Sequence, residues 1–155
     1  MRAADQFHLG IVAADLEATT AALSTTLGYE WGIETGGPLQ VSVPAGELRV
    51  DIRCVYSTTV PRLEVIREVA GTLWEPVPGS GIHHIGYWSD DVAADIAELE
   101  RSGYEVEALR PGPGGMPLFA FLSASAGVRI ELLTRAAESG LSRCWAAPSA
   151  DGLPR

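Results

Sequence analysis

The chain has 155 residues, 46% of them hydrophobic, and a formal net charge of −9, which suits one compact domain, or two very small modules sharing a core, and excludes general disorder. No stretch approaches the roughly 18 apolar residues of a membrane-spanning helix, and the N-terminus lacks the basic-then-apolar pattern of a secretory leader, so the expected location is the cytoplasm. The acidic balance argues against nucleic acid and anionic membrane surfaces as partners, and two cysteines, Cys54 and Cys144, are too few for a disulfide framework or a zinc ribbon.

In chain order, HLGIV reads as a first strand, apolar and partly β-branched. Asp15 stands where a helix N-cap belongs, ahead of an Ala/Leu/Glu-rich stretch that runs to about Thr26 and is stopped by Gly28. WGIET is the expected second strand. LQVSVP and ELRVDIRCVYS, turning at Pro44-Ala45-Gly46, supply third-strand material, and RLEVIREV is the fourth strand. Residues 70–82 carry the Gly and Pro of a linker.

The same order then recurs. HIGYW is a strand, Asp91 a cap, Gly103 a helix stop near Ser102, YEVEAL a second strand, FAFLSAS a third and VRIELLT a fourth, with a turn at Ala126-Gly127. PGPGGMP, residues 111–117 and including Met116, reads as a surface loop or a lid. The repeat is internal: FHLGIVAADLEA aligns with HHIGYWSDDVAA, LGYEW with SGYEV, and RLEVI with RIELL, all in one order. The expected fold is therefore α+β: tandem βαβββ repeats forming a cup-shaped mixed sheet with helices on the outer face. Residues 1–69 make the first module, 70–82 the linker, 83–134 the second module, and 135–155 a loosely held tail that Trp145 could anchor.

Alternation along a strand decides which side chains share a face. His8, Gly10 and Val12 share one face of the first strand, and Phe7, Leu9 and Ile11 the other, which is apolar and should meet the helix. The same parity groups His84, Gly86 and Trp88, and sets Glu64 and Glu131 opposite their apolar neighbours. His83 falls on the helix side and reads as structural. If the halves pair about a pseudo-two-fold axis, His8, Glu64, His84 and Glu131 converge on one cavity. Two imidazoles and two carboxylates suit one divalent ion such as Zn, Ni, Co, Mn or Fe, and the carboxylates offset its charge. Solvated strand residues are the plainer alternative for the two Glu, which the symmetry disfavours. Gly10 and Gly86 leave room for close strand approach. Asp51 and Arg53 share a face away from Val50, Ile52 and Cys54, which aims both into the cup; a surface ion pair is the alternative. Trp88, and with it Phe121, adds an aromatic wall suited to a ring-bearing or hydrophobic small-molecule substrate.

FHLGIVAADLEA, GIHHIGYWSDDVAA and GVRIELL resemble the vicinal oxygen chelate superfamily, which includes glyoxalase I, methylmalonyl-CoA epimerase, extradiol dioxygenases and bleomycin-resistance proteins; the resemblance covers residues 5–134. It implies metal ligands on the first and fourth strands of each repeat, here His8, Glu64, His84 and Glu131, with Glu at the second position as in glyoxalase I, where the epimerase has Gln. VDIRC resembles the third-strand segment in which the epimerase carries an acid/base Glu, which would give Asp51 that role beside Glu64 or Glu131. The implied function is a metal-dependent lyase, isomerase or epimerase working next to a chelated carbonyl, commonly as a homodimer. The alternatives are an Fe(II) extradiol dioxygenase, or a protein that sequesters a drug as the bleomycin-resistance members do.

Overall fold

The computed structural model of the protein describes residues 1–125 and 127–146. The elements are β1 (Gln6–Ala13), α1 (Leu16–Leu27), β2 (Thr35–Val43), β3 (Gly46–Tyr56), β4 (Leu63–Arg67), β5 (His84–Ser89), α2 (Val92–Arg101), β6 (Glu105–Pro111), β7 (Pro117–Ser123), β8 (Ile130–Thr134) and α3 (Glu138–Ala146). Among the described residues the eight strands close into a barrel, ordered β1-β4-β3-β2-β6-β7-β8-β5. The expected cup thus closes fully. Each module contributes a curved four-stranded half, with parallel β1–β4 and β5–β8 pairs. The halves meet antiparallel at β1–β5 and at β2–β6. Both seams lie within one chain, so a single copy completes the barrel.

Local chemistry explains the elements. Asp15 and Asp91 each accept a backbone N–H from the first helical turn, Ala18 at 2.8 Å and Ala94 at 3.0 Å, which satisfies donors a helix start leaves open. Gly28 adopts the left-handed conformation that ends α1. Both helices lie outside the barrel. Leu16 packs with Ala13, Val55 and Val65, and Val92, Ile96 and Leu99 pack with Ala120, Leu122 and Leu132. The barrel interior holds the third and largest cluster, including Val12, Val50, Ile52, Cys54, Trp74, Trp88, Phe119 and Phe121.

Four expectations change. WGIET does not form a strand: only Trp31 bridges, to Ser57, and its indole N–H donates to Thr20 O and Ser24 Oγ on α1. The second strand is instead LQVSV with the residues before it, paired along its length with β3. Phe7 does not face the helix. A bulge between Gln6 and His8 turns it onto Trp88, stacked at 3.8 Å between centroids. The linker is not merely a connector, because Trp74 within it is fully buried in the barrel core.

The fourth change concerns the tail. Residues 135–146 are ordered as a 3₁₀ turn and α3. Trp145 sits 4.2 Å from the Arg62 guanidinium and edge-on to Tyr56, and Cys144 O accepts the Ile33 N–H at 3.0 Å. Gly32 is required beneath this contact, since a β-carbon there would meet the Cys144 carbonyl. Arg135 ties the start of this segment to Asp5 and Asp90. Ala126 and residues 147–155 lie outside the described residues. No helix among those described is long and apolar enough to cross a membrane.

Candidate metal centre and cavity

The two seam strands place the centre. At the β1–β5 seam His8 stands opposite Gly86 and Gly10 opposite His84. The parallel pairs then set Glu64 beside Gly10 and Glu131 beside Gly86. Each imidazole therefore lies over the glycine of the other module. A β-carbon on Gly10 would overlap the His84 ring, and one on Gly86 the His8 ring. The glycines are needed for the two imidazoles themselves rather than for strand approach alone.

His8, Glu64, His84 and Glu131 are all buried, each under 7% exposed, and one donor atom from each lies within 4.8 Å of the others. The two Nε2 atoms are 2.8 Å apart. Glu64 Oε2 lies 3.3 and 3.2 Å from the His8 and His84 Nε2 atoms, and Glu131 Oε2 lies 3.3 and 3.6 Å from them. Donors around a tetrahedral ion with bonds of about 2.1 Å are separated by about 3.4 Å, so these separations bracket a first-row divalent ion. Glu64 Oε2 and Glu131 Oε2 are buried with no hydrogen-bond partner, a costly arrangement unless a cation faces them. The donor set therefore fits a divalent metal.

The electrostatics agree. Burial disfavours charge on His84, but Glu131 and Glu64 outweigh it and push the imidazole up to about 9. Burial would raise Glu64, and the two imidazoles overcome it and hold the carboxyl well below its ordinary range. The two carboxylates demand positive charge at this point; a proton supplies one unit of it and a divalent ion two.

His83 is buried beside His84 rather than facing a helix. Its Nε2 lies 2.9 Å from Leu73 O, which can only accept, so Nε2 carries the proton. His83 Nδ1 is then a lone pair, and His84 Nδ1, 3.0 Å away, donates to it. In the neutral form of His84 that an ion in place of the proton would require, this relay keeps the proton on Nδ1 and leaves the Nε2 lone pair aimed at the centre. Burial, acting with nearby cationic groups, lowers His83 to about 4, so it stays neutral. His8 has no such support: its Nδ1 is buried without a partner, and its ring is held edge-on by Phe7 at 4.3 Å and Tyr56 at 5.6 Å.

A cavity of about 260 Å³ adjoins the centre, lined by Glu64 and Glu131 together with Ile52, Cys54, Tyr56, Trp74, Arg110, Phe119 and Phe121, and closed on one side by Ala137 and Leu141 of the C-terminal segment. Burial and the nearby Glu64 push the Cys54 thiol and the Tyr56 phenol well above their ordinary values, so both are neutral. Neither centre imidazole is among the lining residues. A second hollow of about 410 Å³ reaches His8 from the other side, between Trp88, Arg62, Glu138 and Trp145.

The structure brings His8, Glu64, His84 and Glu131 together. Phe121 lines the smaller cavity, and Trp88 the larger hollow. Asp51 and Arg53 are a correction: they lie on the outer face of β3, 55% and 41% exposed, paired to each other at 2.9 Å. Their inward neighbours are Val50, Ile52 and Cys54, which belong to the barrel core. Parity named the right partners and the wrong side. Tyr56 and Arg110 were missed. Arg110 had a signal, since it alternates in phase with the fully buried Ala108; Trp74, with Trp31, Trp88, Phe119 and Phe121, belongs to an aromatic surplus that the sequence offers as part core, and it is fully buried in the barrel.

Comparison with known proteins agrees with this architecture. Residues 7–121 match a family profile described as the Glyoxalase/Bleomycin resistance protein/Dioxygenase superfamily. No curated protein matches the sequence. Among solved structures, a methylmalonyl-CoA epimerase in complex with methylmalonyl-CoA is 25% identical over 86% of this chain and 95% of its own, with a TM-score of 0.57. A Streptomyces coelicolor epimerase variant in complex with 2-nitronate-propionyl-CoA gives 25%, 86%, 95% and 0.57 for the same quantities. A 4-hydroxymandelate synthase mutant from Streptomyces coelicolor, 22% identical over 84% of this chain and 38% of its own with a TM-score of 0.52, shares the fold. With that match covering most of the chain, and the paired βαβββ modules around a His/Glu centre, the protein belongs to the glyoxalase/bleomycin resistance protein/dioxygenase superfamily.

Proposed function

We propose that the protein is a metal-dependent lyase, isomerase or epimerase that moves a proton on carbon next to a carbonyl of a small, largely apolar molecule. The observation that carries this reading is which donors reach the cavity: Glu64 and Glu131 line it, while His8 and His84 do not. The imidazoles are then holders, and the carboxylates are the groups a bound molecule meets. His8, Glu64, His84 and Glu131 would hold one divalent ion, Zn, Ni, Co, Mn or Fe(II), which when bound polarises a substrate oxygen and stabilises enolate charge.

The chain's own residues supply the rest. Glu64 and Glu131 stand at equivalent places in the two modules, and both line the cavity. For an epimerisation one carboxylate would take the proton while the other carboxyl, protonated beforehand, gives its own proton to the carbon; a single carboxylate returning the proton it took to a neighbouring atom would give an isomerisation. The neutral Tyr56 and Cys54 beside Glu64 add no competing base. The apolar walls exclude water, which keeps a carboxylate basic. Asp51, exposed on the outer face, has no part in this. The likeness to the epimerases supports proton transfer as the reaction type. A cavity of about 260 Å³ takes a small acyl or aryl unit, and the nucleotide of a CoA ester would lie outside it. The homodimer suggested by the sequence resemblance is not needed to complete the site, and a cytoplasmic location remains this reading's expectation.

The test is metal analysis followed by isotope exchange. Protein reconstituted separately with Mn, Co, Ni, Zn and Fe(II) should bind one ion per chain. It should then wash deuterium from D2O into the carbon next to the carbonyl of chelating α-hydroxy or α-oxo carbonyl compounds, followed by NMR. Glu131→Gln should stop the exchange while retaining some metal. Oxygen uptake with catechols by the iron form would replace this reading with a dioxygenase; failure to bind any of the five metals would replace it with ligand sequestration.

A further inference from the structure

We propose that Arg110 is the anion-binding residue of the cavity, and that the natural ligand is a monoanion carrying an apolar body, with a carboxylate at the end away from the oxygens it offers the centre. This rests on the metal reading above and extends it to the substrate class. Three observations converge. Arg110 lies on β6 two residues after Ala108, which is fully buried in the barrel core, and so points to the same interior face; its strand partner is Phe119, another cavity wall. Arg110 therefore brings the one basic side chain into a lining that is otherwise apolar apart from the two carboxylates and a few small polar groups.

Second, that guanidinium is unspent. Arg53, Arg67, Arg129 and Arg135 each hold a carboxylate, whereas Arg110 has no carboxylate in ion-pair reach among the described residues. In a chain of net charge −9, a half-buried arginine that lines the cavity and is left without an acid is available to an anion from outside. Third, Trp74 Nε1 is a buried donor with no partner, and its ring walls the same cavity. The groups not engaged with the centre are thus donors. With a divalent ion balancing Glu64 and Glu131, the cavity keeps the single positive charge of Arg110, which a monoanion neutralises. A guanidinium and a carboxylate pair through two parallel hydrogen bonds, so the contact also fixes orientation.

The experiment compares benzohydroxamate, a neutral-bodied chelator, with its 3-carboxy and 4-carboxy derivatives, titrated by calorimetry into Co(II)-loaded protein and into Arg110→Met and Arg110→Lys. At least one carboxy derivative should bind wild type about tenfold or more tightly than benzohydroxamate, as a charge-assisted contact is worth. Arg110→Met should erase that preference, lowering the affinity of the carboxy derivatives far more than that of benzohydroxamate, and Arg110→Lys should keep part of it. No preference in wild type, or a preference surviving in Arg110→Met, overturns the assignment while the metal reading stands. A protein that binds Co(II) but neither kind of hydroxamate also overturns it. Failure to take up Co(II), read separately before any hydroxamate is added, removes the metal reading itself and this proposal with it.

Discussion

The two modules build the same centre by different means. In each, the first strand gives a His, the last a Glu, and a glycine beneath the opposite imidazole makes room for it. Behind these four side chains the symmetry ends. His84 is fixed by hydrogen bonds running through His83 to Leu73 O. His8 is fixed by ring edges, Phe7 and Tyr56, with Phe7 held in turn by Trp88. Duplication supplies equivalent His and Glu side chains, and each copy then finds its own way to hold its imidazole rigid. One imidazole has its tautomer set by the protein; the other has only its position set.

The largest expected effect falls on what the halves share. Gly10→Ala drives a β-carbon into the His84 ring, and Gly86→Ala does the same to His8. Neither ring can retreat, since both are buried at 2% exposure or less. Each substitution should cost about 3 kcal/mol, a fall in Tm of about 10 °C, together with loss of metal uptake. Equal losses in the two variants would mark the glycines as symmetric; a Gly10→Ala protein with unaltered melting and metal content would break the comparison.

Next comes what they do not share. His83→Phe keeps an aromatic ring beside Phe121 and removes the acceptor behind His84. Metal affinity should fall about 10–100-fold, as is usual when the hydrogen-bond partner behind a coordinating imidazole is lost, measured by competition with a chelator. The first module offers no matching variant, because His8 Nδ1 has no partner to remove. Phe7→Leu should weaken metal binding less than His83→Phe does. The reverse order would mean that packing, not the hydrogen-bond relay, sets the ligand.

These differences mark where sequence reading succeeded and stopped. The repeat, the caps at Asp15 and Asp91 and the pairing of each His with a Glu were legible because each depends on local chemistry or exact duplication. Parity was legible as a grouping. What it lacks is the sign, since alternation says which residues share a face and not which face is inside. On β1 and β4 a helix packed outside supplies the sign, through Ala13, Val55 and Val65. Along residues 50–54 of β3 the polar face, with Asp51 and Arg53, meets water and the apolar face, with Val50, Ile52 and Cys54, fills the barrel. The bulge at Phe7, the place of Trp74 in the barrel and the order of the C-terminal segment were not legible, because each depends on a partner distant in sequence. Trp145 stood out as an anchor in the sequence, but not what it anchors to, which is Arg62, Tyr56, Phe7 and Trp88.

That segment gives a smaller effect. Trp145→Ala should cost about 1–2 kcal/mol, since its ring is only half-buried and its cation–π contact is partly exposed. The change should be concentrated in α3, whose amides should exchange with solvent faster by a factor larger than the global loss allows. Uniform loss of protection across the barrel would show that α3 is part of the core rather than a cover laid over the first module's side of the cavity.

The smallest effect is expected at Asp51 and Arg53. Both are well exposed, their pair is screened by water, and exposed pairs contribute about 0–1 kcal/mol. Asp51→Asn and Arg53→Met should each change stability by no more than about 0.5 kcal/mol, and leave metal content and deuterium exchange untouched. That outcome separates the two sides of β3: Ile52 and Cys54 reach the cavity, and the residues between and beside them do not. An Asp51→Asn protein with normal metal content and abolished exchange would reverse the conclusion, and would require β3 to present its other face to the substrate while the barrel is working.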